Sequence, residues 1–261
     1  MTYLKFISMA FQRTLAYRVE YYTGLLNGFL YIFIFTSVWR ALIPPGQTMN
    51  GLTREDMTAY AVLSTLIKVS FGRNESLISS RVRSGEIAVD LMKPYNFPFM
   101  YFCDTIGVSL FQLFARAVPI LIFSFFLFGI SLDVDAGVIA RFIPVYIMAF
   151  ALFFAMTFLI STLAFYFVDI FPFWIFYFAL ITLTSGAIIP LNFFPEVFQE
   201  FLRNTPFPYL YYYPTMIILG KSPGMPFLEL FIRYGVLLTA VTGLGAFSYR
   251  MGLRKLTIAG G

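Results

Sequence analysis

Long apolar runs, each near the length of a bilayer-crossing helix, constrain this chain more than any other feature. A helix needs about 20 mostly apolar residues to cross the hydrocarbon core. The stretch YYTGLLNGFLYIFIFTSVWRAL, Tyr21 to Leu42, meets that need and stops at Pro44-Pro45. Further candidate spans run from Met57 to Phe71, Phe99 to Ile130, Val138 to Phe165, Ile170 to Ile189 and Phe227 to Tyr249. Composition agrees. Only 12% of residues are charged, against about 25% in a soluble domain. The 34 Phe and 17 Tyr suit lipid-facing and interfacial positions. The expected fold is an all-α polytopic membrane protein of about six transmembrane helices. With no internal repeat and no low-complexity tract, residues 1–261 read as one transmembrane domain.

The flanks carry the topology. Residues 1–19 lack an apolar core followed by a small-residue cleavage site, so no cleavable signal peptide is expected. Leu4, Ile7, Met9, Phe11 and Leu15 recur at roughly helical spacing among Lys5, Arg13 and Arg18. This predicts an amphipathic helix in the membrane interface with its cations reaching for water. Residues 190–225 are apolar and aromatic but cut by Pro195, Pro206, Pro208, Pro214 and Pro223. Proline ends helices, so short broken helices are expected on the outer side, with PYLYYYP at the headgroup level. Ten of the assignable loop cations fall on one side: Lys5, Arg13, Arg18, Arg73, Arg81, Arg83, Lys93, Arg250, Arg254 and Lys255. Arg54, Arg203 and Lys221 fall on the other. By the positive-inside rule both termini are expected to be cytoplasmic.

Several chemistries find no support. The chain has no histidine and one cysteine, Cys103, which leaves no His-based zinc or haem site and no intramolecular disulfide. No nucleophile context, carboxylate pair or metal-ligand cluster stands out, so no catalytic or metal residue is assigned. Gly220-Lys221-Ser222 resembles the end of a phosphate-binding loop, but Thr215 stands where that loop needs glycine. No cofactor is therefore expected in this chain. A net charge of +5 fits membrane flanks rather than nucleic acid. Arg116, inside the third span, is a candidate pathway or inter-helix polar residue, since charges at membrane depth are costly. It has three open roles: snorkelling, pairing with an acid on another helix, or meeting an anionic headgroup. Asp104 is expected near the cytoplasmic end and solvated, and Asp169 marks a tight turn. Gly24 and Gly28 form a G-x-x-x-G that permits close helix packing.

Arg81 to Pro98 is the longest charge-containing interval, and residues 72–98 around it read as a cytoplasmic loop. Asn74 suits a helix N-cap with Glu75 in the first turn. Leu77, Ile78 and Val82 oppose Arg81 and Arg83, and Gly85 suits a C-terminal stop. Such a loop exceeds what a membrane turn requires, and its mixed faces suit a protein interface.

This loop resembles that of the type-2 ABC exporter permeases, in particular the subfamily of daunorubicin-type and viologen-type exporters. The shared pattern is basic, then Ser-Gly-Glu, an apolar run, Asp-Leu and a proline. It falls on Arg83, Ser84, Gly85, Glu86, Asp90, Leu91 and Pro94. The resemblance implies that Glu75 to Asp90 couple to separate cytoplasmic ABC ATPase subunits that carry ATP and Mg. Glu75, Arg81, Arg83, Gly85, Glu86 and Asp90 would carry that contact. It also implies a second permease, identical or related, with the first, second and fifth spans lining a path between the two, in contact with membrane lipid. The expected function is outward movement of an amphipathic or hydrophobic substrate, such as a drug, lipid or lipid-linked molecule. The alternative is an ion-coupled secondary transporter, against which stands the lack of acids at mid-span. An intramembrane enzyme acting on lipid would need a site that the sequence does not offer.

Overall fold

The structure, a computed structural model, describes residues 2–72, 76–130 and 134–255. It is 79% helical, and the chain is an all-α polytopic membrane protein. Helix α1 is Thr2–Ala16, α2 Arg18–Leu42, α3 Arg54–Ser70, α4 Ser76–Arg83, α5 Glu86–Met92 and α6 Phe97–Gln112. Then follow α7 Val118–Phe128, α8 Ala136–Ser161, α9 Phe171–Thr184, α10 Glu196–Arg203, α11 Pro208–Ile218 and α12 Phe227–Leu253. Among the described residues, four stretches are long and apolar enough to cross a membrane: Val19–Leu42, Phe97–Phe128, Ala136–Phe165 and Phe227–Leu253. The other two expected spans are helical but shorter. With 17 and 14 residues, α3 and α9 are roughly 25 and 21 Å long at about 1.5 Å per residue.

The end of α2 has a local cause. Beyond Pro44-Pro45 the chain makes a small hairpin, Thr48–Met49 against Leu52–Thr53. Asn50 and Gly51 both take positive φ, 49° and 79°, as a tight two-residue hairpin turn demands. Thr53 then caps α3: its hydroxyl accepts from Asp56 N at 3.1 Å, and Asp56 accepts from Thr53 N at 3.0 Å.

Helix α3 is the hub. It packs on α2, α11 and the α6–α7 helix, and nearly every residue from Met57 to Ile67 is buried. Its polar residues serve the break in the fifth expected span. Helix α9 stops at Thr184, and Gly186 at φ +80° turns the chain. Non-helical backbone at this depth requires partners inside the protein. Tyr60 donates to the Gly186 carbonyl at 2.6 Å, Ser64 to the Ala187 carbonyl at 3.3 Å, and Tyr212 N to the Ser185 carbonyl at 3.0 Å.

The proline-cut segment gives two short helices, α10 and α11, as expected. The PYLYYYP stretch is buried within the bundle. Tyr209 to Tyr213 are all at most 3% exposed, packed among α3, α8 and α12. Their ring area is the reason: this tyrosine-rich run buries more apolar surface inside the bundle than one face of an interfacial helix allows. Two of the phenol groups find partners there, Tyr209 donating to the Arg203 carbonyl at 3.0 Å and Tyr212 to Asn192.

The long third span is two helices joined by a π-helical turn, Leu113–Ala117. Pro119 explains it. A proline cannot donate to the helix ladder and crowds the carbonyl four residues back, and a wider turn before it relieves both. Arg116 sits in that turn.

Candidate functional site

The segment that carries the family resemblance folds as two short helices around Gly85. Helix α4 covers the described part of the expected helix; Asn74 and Glu75 lie outside the described residues. Gly85 takes φ +76° with open space where a side chain would stand, and α5 starts directly after it. Helix α5 takes up the apolar run between Glu86 and Asp90-Leu91 of the shared pattern.

Asp90 holds the two helices together. Its carboxylate accepts from Arg81, from Lys93 Nζ at 2.9 Å and from Tyr95 OH at 3.0 Å. It is 2% exposed. A buried carboxylate with three donors is an internal staple, and such a group does not reach an outside surface. Arg81 is drawn to it and is only part-exposed. Ile78 and Ile87 are fully buried in the main core, each worth about 1.5–3 kcal/mol of anchoring. What remains outside is Arg83, Ser84, Gly85 and Glu86, flanked by the exposed apolar side chains of Val89, Leu91 and Met92.

This element is wired to the rest of the fold at three points. Helix α4 packs on α8 and the 3-10 turn Thr162–Phe165 that follows it. At the exit, Asn96 caps α6 by accepting from Phe99 N at 3.0 Å, while its own N–H donates to Tyr3 OH of α1 at 3.2 Å. At the entrance, Gly72 N donates to Ser109 Oγ at 2.8 Å, and a Cβ there would lie 2.6 Å from the Ser109 backbone nitrogen. The chain thus leaves α3 pressed against α6.

Helix α1 runs along α6. Gly107 admits the Ile7 carbonyl, with which a Cβ would collide. Arg13 pairs with Asp104 at 2.7 Å. Asp104 is therefore a buried ion-pair partner rather than a solvated end residue. Leu4, Met9 and Leu15 point away, exposed.

Arg116 reaches α2. Its guanidinium donates to the Glu20 carbonyl and lies over Gly24, where a Cβ would collide with it. Ile120, one turn on, fills the space over Gly28 in the same way. The G-x-x-x-G is thus a seat for Arg116 and Ile120. Of the roles open to Arg116, an inter-helix contact is realised, made to a backbone carbonyl rather than an acid. Arg40 occupies the far end of α2, donating to the Phe128 carbonyl at 3.3 Å. Arg116 consequently lies level with the first turns of α2, near one end of that span.

The remaining sequence candidates have structural roles. Asp169 accepts from Phe171 N at 3.1 Å and starts α9. Lys221 of the Gly-Lys-Ser stretch pairs with Asp56 at 2.8 Å. The sequence reading missed Lys93 and Tyr95 as partners of Asp90. The Asp90–Lys93 spacing of three was a usable signal; Tyr95, beyond a proline, gave none.

Apolar helices of spanning length, with a stapled and partly exposed pair of short helices in one connection, define a multi-pass membrane protein. Residues 25–260 match the family described as ABC-2 family transporter protein, and the chain belongs to that family. It is accordingly a membrane permease subunit of an ABC transporter; subunits of this family generally partner with ABC ATPases and are not themselves enzymes. No curated protein matches the chain significantly.

Proposed function

We propose that this subunit serves an exporter of the drug- and lipid-exporting type, and that α4–Gly85–α5 is where a cytoplasmic ATPase subunit docks. The observation that carries this reading is the division of labour in the element. Ile78 and Ile87 fix it to the membrane domain and Asp90 holds its two helices together, while Arg83, Gly85 and Glu86 with Val89, Leu91 and Met92 form an exposed mixed surface. A small apolar patch with a charged rim is the composition of a protein interface. ATP and Mg would bind on the partner, whose movement passes through Gly72 and Asn96 to α3, α6 and α1. Glu75 lies outside the described residues and keeps its proposed share in the ATPase contact from the family resemblance alone.

In this reading residues 72–98 and both termini are cytoplasmic, and residues 190–225 belong to the outer half of a single domain in a bacterial-type inner membrane. Two permeases, identical or related, form the pathway. The exposed apolar faces of α2 and α9 suit that assembly and the surrounding lipid: Leu26, Phe33 and Ile34 on one, Ile175, Phe176 and Leu183 on the other. The cargo is an amphipathic or hydrophobic molecule carried outward.

Co-expression with the ATPase subunit and pull-down tests the docking claim. Reversing Arg83→Glu and Glu86→Arg together is expected to abolish co-purification while the permease still extracts and melts as wild type. Undiminished co-purification would contradict it.

A further inference from the structure

We propose that the groove between α1, α2, α3 and the α6–α7 helix binds the anionic headgroup of an amphiphile, a phosphate or carboxylate borne on an apolar tail. The groove has a volume of about 720 Å³. Three of its lining side chains bury a polar atom that has no hydrogen-bond partner within the protein among the described residues: Arg116 Nε, Tyr31 OH and Gln112 Oε1. Buried polar groups are almost always satisfied, and three of the eight such orphans among the described residues sit on side chains that line this one groove, which points to a ligand. Two of them donate. Arg116 is in addition a permanent cation whose planar fork matches phosphate and carboxylate geometry.

Charge favours an anion. Among the described lining residues, Arg13, Lys68 and Arg116 stand beside one carboxylate, Glu20, and Asp104 holds Arg13. Lys68 Nζ also lies over the Tyr31 ring, 4.7 Å from its centroid, so a second cation stands against that side chain. The depth is right for a headgroup. Arg116 is level with the first turns of α2, at the end of that span, and the exposed apolar side chains of Leu26 and Leu30 lie further along the same helix. Leu26 and Leu30 lie outside the groove itself, where an apolar tail leaving it would run.

The binding claim stands on this geometry alone. That the bound amphiphile is cargo rests on the permease reading above. The test uses the full chain in a non-ionic detergent, titrated with dihexanoyl phosphatidic acid, dihexanoyl phosphatidylcholine and inorganic phosphate. Phosphatidic acid is expected to bind at least about tenfold more tightly than either of the others, a preference Arg116→Gln should erase. Because Arg116→Gln disturbs the seat on Gly24, Tyr31→Phe is the second variant. Deleting an unpartnered buried hydroxyl leaves thermal stability unchanged or raised, yet should weaken phosphatidic acid several-fold; a merely structural Tyr31 would not separate the two readouts. Equal binding of both lipids, or unaltered affinity in Tyr31→Phe, overturns the site. Inorganic phosphate binding as tightly as phosphatidic acid overturns the amphiphile and leaves a soluble-anion site. With the ATPase subunit present, stimulation of ATP hydrolysis by phosphatidic acid in wild type and not in Tyr31→Phe supports cargo. Binding without stimulation overturns that part alone.

Discussion

Asp90 shows how one residue can change role between sequence and structure. In the linear pattern it stands beside Glu86 as a loop charge of the same kind. Folded, it is buried under Arg81, Lys93 and Tyr95, whereas Glu86 is exposed. Removing it should loosen the α4–α5 pair, since hydrogen bonds to a charged group are worth about 1.5–3 kcal/mol. Asp90→Ala is expected to melt early in detergent and to be cleaved faster by protease near residue 85, with Glu86→Ala neutral in both assays. Two glycines make a similar contrast. Gly85 and Gly186 both have positive φ, but a Cβ at Gly85 meets open space and one at Gly186 would lie 2.6 Å from Tyr212 Cβ. Gly85→Ala should cost only the backbone strain, about 1–2 kcal/mol. Gly186→Ala should cost clearly more, read as the larger drop in melting temperature.

At the scale of elements, the sequence was most informative where a single physical rule dominates. Long apolar runs gave α2, α6–α7, α8 and α12, because bilayer thickness alone sets their length. It was least informative where partners distant in sequence decide. Helix α9 ends at Thr184 because α3 supplies Tyr60 and Ser64 to the carbonyls beyond it, and no local signal marks that supply. The burial of Tyr209 to Tyr213 depends likewise on α3, α8 and α12 arriving around them. Other features were legible and passed over: Asn50-Gly51 is a hairpin signal, and Pro119 announces the irregular turn that holds Arg116. Of the loop motif, the helix, the glycine stop and the charged rim were visible, but not which charges turn inward. Burial separates Asp90 from Glu86, and it is set by where Ile78 and Ile87 anchor the pair. The packing of α2 on α7 offers an element-level test. Gly28→Leu would drive its side chain into the space of Ile120, whose Cδ1 lies 2.6 Å from where even a Cβ at that position would stand. Overpacking of this kind costs typically about 1–3 kcal/mol, measurable as a lower melting temperature.

For the whole molecule, the fold suggests a path for force. The α4–α5 pair touches α8 through its core side and meets α3, α6 and α1 at Gly72 and Asn96. A partner moving that pair would shift the helices that line the anion groove as well. Sidedness is open to direct test because Cys103 is buried, so an introduced thiol is the reactive one. In intact cells Ser222→Cys should react with a membrane-impermeant maleimide, and Glu86→Cys only after lysis. The central claim is that the exposed rim of α4–α5 touches an ATPase. Glu86→Cys, charged with a short photo-activated cross-linker in the assembled complex, measures this most directly. The account predicts one cross-linked species of permease plus ATPase subunit. Efficient co-purification of the ATPase with no cross-link from position 86 would contradict it.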